Sequence, residues 1–112
     1  MSNINYNDFL KVDIRVGTII SAEENNILNK PSIILKIDFG ENIGVKKSSA
    51  QIKSNYNIDK LLNKQIAAVV NFPPKQIGKL ISEVLVLGFP DENNEPILFS
   101  PDIEVKNGGK LF

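Results

Sequence analysis

The sequence has no cysteine and no histidine. The first absence excludes a disulfide framework, and the two together exclude Cys/His zinc sites and the commonest catalytic base. Carboxylates alone can hold a hard cation, but no EF-hand spacing is present, and no metal is expected. Arginine is nearly missing too: Arg15 is the only one among thirteen basic residues, the rest being lysine. Bidentate reading of bases or phosphates by several arginine forks is therefore excluded. No apolar run approaches the roughly 20 residues of a membrane helix, so no membrane insertion is expected. The opening MSNINYNDFL has no basic region followed by an apolar one, so no signal peptide is expected and a cytoplasmic location is the default.

Catalytic patterns are absent as well. Ser48, Ser49 and Ser82 have no histidine to activate them, and nothing sets a lysine beside them. Glu83 and Asp102 show no sign of a shared site. Gly40 and Gly44 stand four apart without the rest of a phosphate-binding loop. The expectation is a protein that is not an enzyme and carries no cofactor. At 112 residues it is large enough for one domain with a modest core. The net charge of zero leaves open how the charges are distributed.

What is present reads as short strands. Asn5 to Leu10 predicts a short helix capped by Asn5 or Asn7, with Asp8 in its first turn. Val12, Ile14 and Val16 alternate with polar residues until the phase breaks at Gly17, which predicts a bend or bulge in one long first strand. After a loop from Asn25 to Pro31, Ser32 to Phe39 alternates with Ile33, Leu35, Ile37 and Phe39 inward. A turn at Gly40-Glu41-Asn42 leads back through Ile43 to Val45, ending in the polar run Lys46 to Ser49. A hairpin symmetric about Glu41 would set Ile37 opposite Val45 and Lys36 opposite Lys46. Asn57 to Leu62 predicts a small helix that plugs one end of a barrel. Gln65 to Phe72 and Glu83 to Phe89 read as two strands with an irregular loop between them, stiffened by Pro73-Pro74. Pro96 to Phe99 reads as a last short strand. Leu111-Phe112 ends the tail, and such an apolar terminus either folds back or covers a partner subunit. Five to seven short strands with one helix between the third and fourth fit a small barrel such as the OB-fold, with other barrels and sandwiches also open.

Lys36, Lys46, Lys47, Lys75 and Lys79 come from the inner hairpin and the loop before the fifth strand. In an OB-fold these elements line one groove, where cations would meet an oligonucleotide backbone. The plainer reading is a scatter of solvated lysines. Phe72 and Tyr56 are either base-stacking rings or core aromatics at strand ends.

VDIRVG (Val12 to Gly17), KIDFG (Lys36 to Gly40), IGVKKSSAQI (Ile43 to Ile52), AVVNFPPKQI (Ala68 to Ile77) and SEVLVLG (Ser82 to Gly88) carry a resemblance. Together they resemble the tRNA-binding domains found at the ends of some methionyl-tRNA synthetases and in the EMAP-II cytokine precursor. SSAQI, NFPP and SEVLVLG are similar to the CsaA group of export-related chaperones within that family. The resemblance runs from about Asp8 to Lys110. It implies an OB-fold, a five-stranded Greek-key barrel with a short helix between strands three and four. Residues 1–11 and 100–112 would be its extensions, all within a single domain over 1–112. It further implies a homodimer, tRNA binding, and binding of unfolded or preprotein segments. Asn71, Lys75 and Ser82 match the family's RNA-facing positions, Lys75 standing where many members have arginine. With the lysines, the expected nucleic-acid set is Lys36, Lys46, Lys47, Asn71, Lys75, Lys79 and Ser82. Phe72, Ile77 and Leu80 are the candidates for peptide binding. The chain departs from the family at Lys79, where glycine is usual and here falls one residue earlier, at Gly78. It departs also at Glu83, in place of a glutamine, and at Lys106, in place of a proline.

Overall fold

The chain enters the fold through a capped helical turn. In the computed structural model, which describes residues 2–25 and 31–112, helix α1 (Tyr6–Leu10) starts at Asn5. The Asn5 side chain accepts the Asp8 N–H at 2.9 Å, and the Asp8 carboxylate accepts the Asn5 N–H at 3.1 Å. A five-residue helix has too few internal bonds to stand alone, so this reciprocal cap is a main local support.

Strand β1 (Ile14–Asn25) then serves two partners. Its first part, Ile14 to Thr18, pairs antiparallel with β4 (Gln65–Val69). Its second part, Thr18 to Asn25, pairs with β2 (Ser32–Asp38). The register slips between Ile19 and Ser21. The bulge therefore lies at Ile20 and not at Gly17, where the sequence pattern placed it. Gly17 answers a different need. A Cβ there would lie 2.7 Å from both Ile37 Cγ2 and Phe39 Cδ1, so only glycine lets β1 pass this close over the core.

On β2 the inward set is as expected: Ile33, Leu35, Ile37 and Phe39 are all buried. The hairpin register is not. Ile37 pairs with Lys46, Lys36 with Lys47 and Asp38 with Val45, one residue away from the symmetric expectation. Gly40 and Gly44 both take left-handed φ angles, 89° and 84°. They add length to the turn, and the Gly44 N–H returns to Gly40 O at 2.7 Å. A one-residue slip exchanges the two faces of a strand. Val45 is thus exposed, and Lys46, Ser48 and Ala50 lie on the side of Ile37, Leu35 and Ile33. The polar run KKSS does not end β3. It is the body of β3 (Val45–Ala50).

Helix α2 (Ile58–Leu61), capped by Asn57, puts Leu61 into the core with no exposed surface. Beyond β4, the stretch expected as irregular contains a hairpin, β5 (Lys75–Ile77) with β6 (Leu80–Ser82). Gly78, at φ 62°, supplies its left-handed turn residue. Strand β7 (Leu85–Val86) pairs with β4, and β8 (Gly88–Pro90) pairs with β9 (Pro96–Leu98). The main sheet runs β3-β2-β1-β4-β7. It closes on itself where the Glu83 N–H donates to Lys47 O at 2.8 Å and the Ser48 hydroxyl donates to Val84 O at 3.0 Å. This strand order, with the helix between the third and fourth barrel strands, is that of an OB-type barrel. Its core gathers Ile19, Ile33, Leu35, Ile37, Phe39 and Leu61 with smaller residues of β4 and β7. The tail folds back along β1: the Gly108 N–H donates to Val16 O and the Leu111 N–H to Ile14 O, both at 2.8 Å. Gln65 clips it further, accepting the Val105 N–H and donating to Val105 O.

Candidate nucleic-acid interface

β2, β3, β6 and β5 lie side by side as a ribbon, and the backbone pairing fixes how the candidate residues follow one another across it. One row reads Lys36, Lys47, Glu83, through the Lys36–Lys47 pair and the Glu83–Lys47 backbone bond. A second row reads Ile34, Ser49, Ser82, Lys75, through the Ile34–Ser49 pair, the Ser49 N–H bond to Ser82 Oγ at 3.1 Å, and the Lys75–Ser82 pair. Lys79 stands at the hairpin tip beside Gly78. Lys36, Lys47, Lys75 and Lys79 are exposed. Among the described residues none of the four makes an ion pair, whereas Lys11, Arg15, Lys46 and Lys53 each do. Two lysines directly opposite on a sheet repel mildly, and an approaching polyanion relieves that repulsion.

The other expected residues have their polar atoms engaged inside the protein. Asn71 donates from Nδ2 to Lys11 O at 2.7 Å and accepts the Asp13 N–H on Oδ1 at 3.0 Å. It is a clamp that ties the N-terminal segment to the exit of β4. Ser82 accepts the Ser49 N–H and so fastens the hairpin to β3. Lys46 sits 3.9 Å from Glu83 Oε2.

Of the rings, Phe72 is 54% exposed and free to stack. Tyr56 is half-buried, and its hydroxyl accepts the Leu98 N–H at 3.0 Å, so it belongs to the scaffold and is no stacking platform. Ile77 and Leu80 face each other across the hairpin turn and are half-buried. Ile81 and Leu85, absent from the expected set, are about half exposed. The alternating pattern does not flag Ile81, because its hairpin reads as irregular, nor Leu85, which stands in the continuous apolar run Val84 to Leu87.

A second surface was legible only as an apolar chain end. The returning tail leaves a groove of about 460 Å³ against β1 and β4, lined by Ile14, Val16, Phe99, Val105, Leu111 and Phe112 among others. Phe112 stands fully open to solvent.

Small closed barrels of this topology form a class of oligonucleotide- and oligosaccharide-binding modules. The chain belongs to the family described as "Putative tRNA binding domain", whose sequence model matches residues 14–110. Among solved structures it is similar to the chaperone CsaA of Bacillus anthracis, with 47% identity, 99% of this chain and 100% of that chain covered, and a TM-score of 0.93. The CsaA chaperone protein of Picrophilus torridus gives 52% identity, coverage of 98% and 100%, and a TM-score of 0.91. The methionine–tRNA ligase of Pyrococcus horikoshii is 35% identical over 111 residues, which is 99% of this chain and 15% of that enzyme. The chain thus spans about one seventh of the length of the ligases it matches.

Proposed function

We propose that the chain, as one domain over 1–112, is a non-enzymatic tRNA-binding protein. In this reading Lys36, Lys47, Lys75 and Lys79 contact phosphates across the β2-β3-β6-β5 ribbon. Ser82 fastens the hairpin to β3, Asn71 clamps the N-terminal segment, and both they and Lys46 stand outside the contact set. The observation that carries the reading is the Lys36–Lys47 cross-strand pair without an acidic partner among the described residues. The membership in a tRNA-binding family supports tRNA as the ligand. A single lysine presents a point charge to a phosphate, so affinity would come from counterion release and fall steeply with salt. Filter binding across a salt series tests this. Lys47→Glu with Lys75→Glu should weaken binding about tenfold or more and flatten the salt slope by about two phosphate contacts. Binding absent at low salt, or indifferent to the double variant, would sink the reading.

A second reading has its own observation, the apolar groove under the tail together with exposed Phe72. It is a chaperone activity of the CsaA kind, in which a cytoplasmic homodimer holds unfolded or preprotein segments, with Phe72, Ile77 and Leu80 as contacts in and before the hairpin. Similarity to the CsaA chaperones supports it. Suppression of aggregation of a denatured client, unaltered by moderate salt, is the expected result. Among the described residues no helix is long and apolar enough to cross a membrane.

A further inference from the structure

Glu83 lies on the seam where the β5–β6 hairpin meets β3, and its carboxylate faces two ways. Oε1 accepts the Lys47 backbone N–H at 3.1 Å. Oε2 lies 3.9 Å from Lys46 Nζ, with both side chains about one third exposed. Lys46 and Lys47 are neighbours in sequence but point to opposite faces of β3, because Lys46 pairs with Ile37 and Lys47 with Lys36. Of these two adjacent cations, the Lys46 ammonium is paired with a carboxylate, and the Lys47 ammonium makes no ion pair among the described residues.

We propose that Glu83 limits anion binding along the β3 seam by withholding Lys46 from phosphate. The proposal rests on the nucleic-acid reading above and concerns the cation that would extend that surface across the seam. An ion pair this open stabilises the fold little. Its effect on an incoming polyanion is larger, since the carboxylate neutralises a cation that would otherwise be open to phosphate. The second bond of the carboxylate makes the idea separable from a structural role. Glutamine has the same shape and keeps an Oε1 acceptor for the Lys47 N–H, so Glu83→Gln removes the charge and retains the anchor.

The experiment is filter binding of unfractionated tRNA by the full chain across a salt series, for wild type, Glu83→Gln, Lys46→Met and the double variant. Glu83→Gln should bind more tightly at low salt and steepen the salt slope by about one released counterion, an extra loss of about threefold for each fourfold rise in salt. Lys46→Met should change little in the wild-type background and should abolish the gain in the Glu83→Gln background. Glu83→Gln binding like wild type would overturn the proposal. So would a gain that survives Lys46→Met, which would mean simple repulsion, or an equal loss from Lys46→Met in both backgrounds, which would make Lys46 a contact already. If neither wild type nor Glu83→Gln binds, the nucleic-acid reading itself falls and takes this proposal with it.

Discussion

The barrel is sealed along two lines that are built differently. The β1–β4 line is a regular ladder from Ile14–Val69 to Thr18–Gln65, with Ile66 to Val69 buried behind it. The β3 line against residues 82–84 is a patchwork: one backbone bond from Glu83 to Lys47, and side-chain bonds of Ser48, Ser82 and Glu83 to the opposite main chain. A ladder backed by apolar side chains is supported by both hydrogen bonds and area removed from water. A seam held by hydroxyls has chiefly the bonds. The exposed lysines and the hairpin that carries two of them lie along this second seam. Binding groups on loops fixed by a rigid scaffold are common, and here they lie beside the seam that has fewer backbone bonds.

Three variants probe the contrast, and the largest effect is expected on the ladder side. Gly17→Ala would drive a methyl to 2.7 Å from Ile37 and Phe39 and to 2.9 Å from Asp38 O. Backbone cannot yield as a side-chain end can, so a loss of about 2 kcal/mol is expected, read as a lower denaturant midpoint. A wild-type midpoint would mean that the two strands can separate at this crossing. Ser48→Ala removes a buried donor from Val84 O on the other seam, with an expected loss of about 1 kcal/mol. Amide exchange should then quicken at residues 82–86 and stay slow in β1 and β4; uniform acceleration would show that the seams open together.

The smallest effect lies away from both, at the turn between β8 and β9. Asp91 accepts the Asn55 side-chain amide at 2.9 Å and the N–H groups of Glu95 and Asn93. The Asn55 bond foremost, then the Glu95 N–H, hold its carboxyl below the ordinary value of 3.8. A carboxyl depressed in the folded state adds stability that is complete above its unfolded value and lost as pH falls through the folded one. The turn should therefore loosen only below about pH 4. The Asn93 and Glu95 amide resonances would report it, and Asp91→Asn should abolish their shift while leaving both seams unchanged.

Much of the ladder side was legible in the sequence, for a local reason. Alternation at Ile33, Leu35, Ile37 and Phe39 is a property of one strand, and so is its consequence, burial. Caps at Asn5 and Asn57 are equally local, each reaching no further than three residues. The seam side was not legible, because its faces depend on register, and register was decided by the backbone at Gly40 and Gly44 rather than by the side chains of β3. The same holds for the candidate site. The lysines could be named, but which are free and which are neutralised depended on where a hairpin 36 positions along the chain came to rest, as the bond from Lys47 to Glu83 shows.

By itself, then, the sequence determined the class of small barrel, the helix position, the inward residues of β2 and the lysine-rich character of one region. It also excluded the chemistries that need cysteine, histidine or several arginines. The tertiary structure alone decided that the bend in β1 lies at Ile20, that Lys36 faces Lys47, that Asn71 clamps the N-terminal segment, and that Glu83 stands beside Lys46. The physical reason is range. Propensity and periodicity act over a few neighbouring residues, whereas a bulge, a register and an ion pair across a seam are set by what the rest of the chain packs against them.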